Sequence, residues 1–249
     1  KKLQNYFSRL GGRAYASDVY RALGDIYFDQ TRYADAISAY KLVLGLQPLN
    51  IEAPDIQEKI IAAFERSRDF DSATAERNVL TRTYSEGSAW YEANSDNPDA
   101  LDKAAKLAKK SLYAAAIYFH KQAQTYKGAE NFSQAKDSYT RAAEIYGEYL
   151  SRFPHDKELY NLTFYYAECL YYSEEYERAA IAYIKVRDAI GENEFFESAA
   201  FSVVLAYQDL AKKYEEDGSL PLVKFLSGGE RDAEQPINSR EIPKLRADL

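Results

Sequence analysis

Three side chains in the sequence have the chemistry of a nucleophile, a base or a metal ligand: His120, His155 and Cys169. They are the only histidines and the only cysteine of the chain. One cysteine excludes an internal disulfide framework and any cysteine-cluster metal site. The two histidines are interpreted as solvent-exposed or locally hydrogen-bonded side chains. No basic residue neighbours Cys169 in sequence, so we interpret it as a buried structural thiol.

Known catalytic motifs are missing from the sequence as well. It contains no phosphate-binding glycine-rich loop, HExxH motif, nucleophile elbow or paired-cysteine zinc pattern. The sequence therefore predicts a protein that is not an enzyme, with no catalytic residues, no metal site and no cofactor.

The composition narrows the classes of partner. The 249 residues carry a net charge of −7, which argues against a nucleic-acid partner because phosphate contacts need a basic surface. Apolar residues make up 46% of the chain, enough for a sizeable core. No apolar run approaches the ~20 residues of a membrane-spanning helix, so any membrane contact is expected to be peripheral. The absence of methionine predicts an excised or mature fragment.

One basic cluster stands out against this acidic background. Lys103, Lys106 and Lys110 recur at helical spacing, with Lys109 beside them. They could form a solvated face or a docking edge for an acidic partner or anionic lipid, and the sequence leaves both open.

An internal repeat organises the rest of the chain. An aromatic residue is followed three positions later by alanine in four places: Tyr33/Ala36, Phe70/Ala73, Phe132/Ala135 and Tyr176/Ala179. Four residues beyond each alanine stand Tyr40, Arg77, Tyr139 and Tyr183, so three of the four positions are aromatic. Helical stretches flank each aromatic on both sides, which predicts a repeated helix–turn–helix unit.

These units resemble the tetratricopeptide repeat (TPR) family. The first unit matches it best, through Leu23-Gly24, Tyr27, Tyr33, Ala36, Tyr40 and Pro48. The resemblance implies an all-α fold, a TPR-like right-handed superhelical solenoid of antiparallel helix hairpins over residues 1–226. The predicted units lie near 15–50, 54–84, 98–153 and 158–191, with a partial unit at 195–226. Residues 227–249 are expected to form a loop and tail, or the start of a truncated further repeat.

The third unit departs from the ideal repeat. Asn97-Pro98-Asp99 is typical of a helix start, and nothing breaks the helix before Lys127. The sequence thus predicts one unusually long helix over about 98–127. Residues 85–97, which include the only tryptophan, Trp90, are predicted to be a loop or short helix docked on the array.

The resemblance implies a concave groove lined by the first helix of each hairpin, where relatives bind peptide or protein segments. The predicted partner-binding residues are Arg21, Asp25, Phe28, Lys121, Gln124, Phe164, Tyr165, Glu168, Tyr171 and Tyr172. With the acids Asp18, Asp55 and Glu58 in its first part, this groove would be acidic there. It would then become basic near Lys121 and aromatic from Phe164 to Tyr172. Asp25 stands where the co-chaperone subclass needs asparagine, which argues against a clamp for a C-terminal carboxylate.

The aromatic run at residues 160–176 has two interpretations. Tyr166 is expected to point at its partner helix and Tyr160 to pack against the preceding hairpin. Phe164, Tyr165, Tyr171 and Tyr172 are predicted to face the groove or its rim; packing against the fifth unit is the alternative.

The segment 149–186 also resembles bacterial envelope TPR proteins, including those of adventurous gliding-motility machinery and outer-membrane assembly lipoproteins. This resemblance implies a non-enzymatic scaffold in a motility or envelope-assembly complex, periplasmic or outer-membrane-associated, with other envelope components as partners. A cytoplasmic location, and an adaptor or regulatory module of a larger enzyme or receptor, remain the alternatives.

Overall fold

The described part of the chain is entirely helical. The computed structural model of the protein describes residues 13–190 and 194–218, with side chains from residue 15 onward, and over these ranges it contains no β-strand. The helices are α1 (Arg13–Asp29), α2 (Tyr33–Leu46), α3 (Ala53–Arg66), α4 (Phe70–Thr83), α5 (Ala89–Ala93), α6 (Pro98–Gly128), α7 (Phe132–Arg152), α8 (Leu159–Tyr172), α9 (Tyr176–Arg187) and α10 (Phe196–Glu216). The all-α prediction is confirmed.

Consecutive helices pack against each other. The contacting pairs include α1–α2, α2–α3 and α3–α4, and then α7–α8, α8–α9 and α9–α10. The chain divides into two compact units between Tyr118 and Phe119, a boundary that lies inside α6. Unit 1 contains α1 to α5 and the first part of α6. Unit 2 contains the end of α6 and α7 to α10.

The repeated small and large positions form the core of the helix pairs. The four alanines, Ala36, Ala73, Ala135 and Ala179, are all buried. The side chains four residues later, Tyr40, Arg77, Tyr139 and Tyr183, are buried too. A small residue lets two helix backbones approach, and the large residue one turn later fills the space beside it. The sequence repeat is therefore a repeat of packing.

The four hairpin turns share one backbone geometry. Two residues before each repeat aromatic, Thr31, Arg68, Glu130 and Glu174 adopt φ between 58° and 66°. In the first turn, the Thr31 N–H donates to the Phe28 carbonyl at 2.9 Å and the Arg32 N–H to the Tyr27 carbonyl at 2.8 Å. The other three turns repeat this pair of bonds, which is the Schellman ending of a helix. None of the four residues at this left-handed position is glycine.

Gly24 is required by the close packing of α1 and α2. A β-carbon built at this position would lie 2.5 Å from the Tyr40 ring. The absence of a side chain at Gly24 thus lets the two helices approach closely. The Tyr40 ring is fully buried and fills the space that Gly24 leaves open.

The segment 85–97 contains the short helix α5 between turns, and it docks on neighbouring parts of the chain as predicted. Trp90 is 1% exposed, and its indole N–H donates to the Asn50 carbonyl at 2.7 Å. Its ring meets Tyr84 edge to face at 5.4 Å. Asn94 adds a bond from its amide to the Leu49 carbonyl. The segment therefore holds the connection between α2 and α3.

The predicted long helix is confirmed as α6. Its 31 residues correspond to about 46 Å. Asn97 caps its start by accepting a hydrogen bond from the Ala100 N–H at 3.1 Å. Helix α10 lies within the predicted partial unit at 195–226, whereas residues 219–226 and the predicted tail at 227–249 lie outside the described residues. Among the described helices, none is both long and apolar enough to cross a bilayer.

Candidate binding site

Unit 1 contains two adjoining cavities that share Lys59 and Ala62. The larger, here called the Tyr40 cavity, measures about 320 Å³ and is lined by Asp25, Phe28, Asp29, Tyr40, Lys59 and Ala62. The smaller, the Arg77 cavity, measures about 200 Å³ and is lined by Glu58, Lys59, Ile61, Ala62, Glu65, Arg77, Lys110, Ser111 and Ala114. Both cavities are thus built on α3, with α1 on one side and α6 on the other. Of the predicted site residues, Asp25 and Phe28 line them.

The two cavities are related by the repeat. Tyr40 and Arg77 occupy the same position of the first and second sequence repeats, and each lines one cavity. In the first repeat, the side chain eight residues before the repeat aromatic is Asp25, which faces Tyr40. The same position in the second repeat is Ala62. The first repeat thus places a carboxylate beside a phenol, whereas the second places a small side chain beside a buried cation.

Asp25 is the centre of a hydrogen-bond network in the Tyr40 cavity. Its Oδ1 accepts bonds from the Tyr40 hydroxyl at 2.7 Å and from Lys59 Nζ at 2.5 Å. Burial raises the pKa of Asp25, but these two bonds outweigh burial and hold the pKa below its ordinary value. Asp25 is therefore an ionised, paired carboxylate.

Arg77 supplies a buried charge to the Arg77 cavity. Its side chain is 8% exposed and forms an ion pair with Glu65, whose side chain is 42% exposed. A second, longer bond of 3.5 Å runs to the Thr74 hydroxyl. Burial lowers the pKa of Arg77, and the attraction of Glu65 only partly offsets this effect. The guanidinium is thus held in a poorly solvated place by a single, half-exposed carboxylate.

The predicted acidic portion of the groove is not free to attract a basic partner. Arg21 pairs with Glu52 at the start of α3, and Asp25 pairs with Lys59. Two further predicted acids, Asp55 and Glu58, pair with lysines of α6 at 2.7 and 2.6 Å. Asp18 is exposed. The predicted charge gradient is therefore wrong in unit 1, where ion pairs within the chain neutralise most of the acids.

The same pairs answer the question of the lysine cluster on α6. Lys103 pairs with Asp55, Lys110 with Glu58, and Lys106 with Asp102 on the same helix at 2.6 Å. Lys103, Lys106 and Lys110 thus each have a carboxylate partner within unit 1. The solvated-face interpretation fits this arrangement, and an open positive edge does not.

In unit 2, the predicted aromatic residues pack into a connected series of rings, here called the aromatic ladder. It runs through Tyr172, Tyr139, His120, Tyr165, Phe195 and Phe164, with consecutive ring centroids 4.2 to 5.9 Å apart. Phe164 is buried and stacks on Phe195 at 4.2 Å with nearly parallel rings. Of the two interpretations of Phe164, packing against the start of the predicted fifth unit is therefore the one that applies, and the groove-facing one does not.

Two further tyrosines of this run are structural. The Tyr160 hydroxyl accepts a bond from the Phe195 N–H at 3.0 Å, and the two rings stack at 5.9 Å. Tyr160 thus contacts the start of the fifth unit, whereas the sequence predicted packing on the preceding hairpin. The Tyr166 hydroxyl accepts a bond from Arg178 of α9 at 2.9 Å, which confirms the predicted direction toward the partner helix.

His120 is a buried member of the aromatic ladder. Its two ring nitrogens lie 3.3 Å from the Tyr146 hydroxyl and 3.3 Å from the Gln124 side-chain nitrogen. Burial lowers the pKa of His120 to about 4. The prediction of a locally bonded histidine is confirmed, and it is a core residue. Cys169 is likewise buried and unpaired with another cysteine, and burial raises the pKa of its thiol.

The exposed part of the predicted unit 2 site is small. Tyr172 is 37% exposed, and the Lys127 ammonium lies 3.6 Å from its ring centroid. Glu168 is half-buried beside them, and burial raises its pKa, with Lys127 acting in the opposite direction. Tyr171 donates its hydroxyl hydrogen bond to Asp209 of α10. Lys121 and Gln124 are exposed on α6.

Arg77 is a candidate site residue that is absent from the predicted set. The signal was present, because Arg77 is the one non-aromatic residue among the four repeat positions. Across the described residues, no group of three or more His, Cys, Asp and Glu side chains could hold a metal ion.

The sequence matches no protein-family model, and no curated protein is significantly similar to it.

Proposed function

We propose that the protein is a non-enzymatic interaction scaffold of TPR-like architecture, which binds a segment of a partner protein in the groove of its first helices. The observation that carries this proposal is the pair of adjoining cavities on α1, α3 and α6. The two cavities adjoin at Lys59 and Ala62, which line both of them. An extended segment could therefore occupy one cavity after the other. The walls combine rings with charged groups, as protein-binding surfaces do.

Rigid display of this groove would favour binding. The hairpins are fixed by buried alanines, a close Gly24–Tyr40 contact and four identical turns. Little conformational entropy is lost when a preordered surface binds its partner. The proposed mechanism is therefore docking of a flexible segment onto a preformed surface.

A blocking substitution tests the proposal. A random dodecapeptide library displayed on phage would be panned against the full chain. Ala62→Arg places a long side chain where the two cavities meet and is expected to abolish capture of the enriched peptides. The matched control is Ala75→Arg, since Ala75 is an exposed residue of helix α4. Failure to enrich any peptide, or equal capture by both variants, would contradict the proposed function.

The envelope location and the envelope-complex partners remain predictions from the resemblance of segment 149–186. Fractionation of cells that express the tagged full-length protein would test the location.

A further inference from the structure

We propose that the Arg77 cavity binds a side-chain carboxylate, so that the partner segment carries an aspartate or glutamate next to an apolar residue. This inference rests on the proposed function, and it names the chemistry of the partner at one place in the groove.

Three cations line the Arg77 cavity, and only one of them is buried. Lys59, Arg77 and Lys110 lie there together with Glu58 and Glu65. Each cation has one carboxylate partner, since Lys110 pairs with Glu58, Arg77 with Glu65, and Lys59 with Asp25 of the adjoining cavity. The side chain of Arg77 is the only buried one of the three, so water screens its attraction for a second carboxylate least.

Arg77 has hydrogen-bonding capacity that the described residues do not use. A guanidinium has five N–H donors. Among the described residues, Arg77 donates to Glu65 and, at 3.5 Å, to Thr74, which leaves three donors without a protein acceptor. A carboxylate can accept two of them side by side in the geometry that arginine favours. Arg77 lines the cavity, so an incoming carboxylate could reach it there.

The present partner of Arg77 is exchangeable. The Glu65 side chain is 42% exposed, whereas that of Arg77 is 8% exposed. Glu65 can turn into water at little cost, but the buried guanidinium cannot. A ligand carboxylate that replaces Glu65, or joins it, keeps the buried cation paired.

The neighbouring cavity defines the second half of the recognised segment. The Tyr40 cavity, about 320 Å³, presents the Phe28 and Tyr40 rings and Ala62 beside Asp25, which is already paired. An apolar side chain fits these walls, and a second carboxylate would meet the charges of Asp25 and Asp29. The arrangement points to one acidic residue and one apolar residue in adjoining positions.

An anion titration tests the carboxylate site without any peptide. The full chain is titrated with sodium acetate, and with sodium chloride at equal ionic strength, while the backbone amide signals of Ala62 and Ser111 are followed by NMR. We expect a saturable shift with acetate alone. Glu65→Gln removes the internal competitor and should lower the acetate dissociation constant by about three- to tenfold.

Arg77→Tyr is the loss-of-site variant, because it restores the aromatic residue of the other three units, and it should abolish the acetate shift. Three results would each overturn the carboxylate site. They are an unchanged acetate shift in Arg77→Tyr, the absence of a saturable shift in both wild type and Glu65→Gln, and saturation by sodium phosphate but not by acetate. Circular dichroism confirms that each variant is folded.

The phage library then separates this inference from the proposed function. Wild type should enrich peptides with an acidic residue next to an apolar one, and Arg77→Tyr should lose the acidic preference. Peptides enriched without that preference would overturn the carboxylate site and leave the groove as a binding surface. No peptide enrichment together with saturable acetate binding would overturn the proposed function and leave the carboxylate site standing.

Discussion

At the scale of single residues, the contact between Gly24 and Tyr40 shows how one missing side chain sets the distance between two helices. The Tyr40 ring is immobilised by burial and by the hydrogen bond from its hydroxyl to Asp25. It therefore has little freedom to move aside for a larger residue at position 24.

Gly24→Ala is accordingly expected to destabilise the protein by about 1–3 kcal/mol, because overpacking outweighs the ~1 kcal/mol gain in helix propensity. Gly45→Ala is the matched control, since nothing lies within 4 Å of a β-carbon there. It should be neutral or stabilising. Urea unfolding followed by circular dichroism measures both. A Gly24→Ala variant as stable as Gly45→Ala would contradict the close contact.

His120 couples the packing of the aromatic ladder to pH. Its folded pKa of about 4 lies below the ordinary value of 6.5, so the unfolded chain takes up a proton first as the pH falls. The stability that the neutral imidazole contributes is complete above about pH 6.5 and is lost as the pH falls toward 4.

We therefore expect His120→Phe to reduce the pH dependence of stability between pH 6.5 and 4. The wild-type free energy of unfolding should lose up to about 3 kcal/mol more than that of the variant over this range. Denaturant unfolding at pH 7 and pH 4 measures the difference. Carboxylates act equally in both proteins and cancel. Parallel pH profiles would show that folding does not lower the pKa of His120.

At the scale of elements, the turns between paired helices are as regular as the helices themselves. Thr31, Arg68, Glu130 and Glu174 all adopt the left-handed conformation that favours glycine. The turn is thus imposed by the hairpin, with the Schellman hydrogen bonds satisfying the last carbonyls of the first helix. Each of these residues carries a conformational cost.

Glu130→Gly should remove that cost in the turn between α6 and α7 and stabilise the protein by about 1 kcal/mol. Glu130→Ala loses the same carboxylate and keeps the cost, so it should not be stabilising. Thermal unfolding of the three proteins is the measurement. Equal gains in both variants would assign the effect to charge, and not to the backbone.

At the scale of the whole molecule, ion pairs decide how the charges are presented. The cross-helix pairs Lys103–Asp55 and Lys110–Glu58 join α6 to α3 within unit 1. Half-exposed pairs of this kind add little stability each, about 0–1 kcal/mol. Their larger effect is that the positive charges of Lys103 and Lys110 are compensated by neighbouring carboxylates, in a chain whose net charge is −7.

The protein is therefore expected not to sediment with phosphatidylglycerol vesicles at about 0.15 M salt. The double variant Asp55→Asn/Glu58→Gln frees two lysines and should bind the vesicles measurably. Cosedimentation compares the two proteins. Vesicle binding by wild type that Lys103→Glu/Lys110→Glu removes would contradict the paired state of the lysines.

The elements of this protein follow from local sequence information. Asn97 and Pro98 start α6, and the repeat of aromatic and alanine residues places the hairpins and their buried positions. The segment that contains Trp90, the only tryptophan, and several turn residues is correctly predicted to dock on the rest of the chain. These features depend on neighbours within a few turns of helix, where periodicity and capping act directly.

An all-helical chain, its paired helices and the small and large residues between them thus follow from sequence pattern alone. The folded chain adds that Phe164 is covered by Phe195, that Asp55 and Glu58 are neutralised by α6, and that Arg77 meets Glu65 beside a cavity. Partners in these contacts are from 12 to 52 residues apart. Their meeting depends on how whole helices pack, and helical periodicity specifies which face is buried but not which side chain of another element it meets.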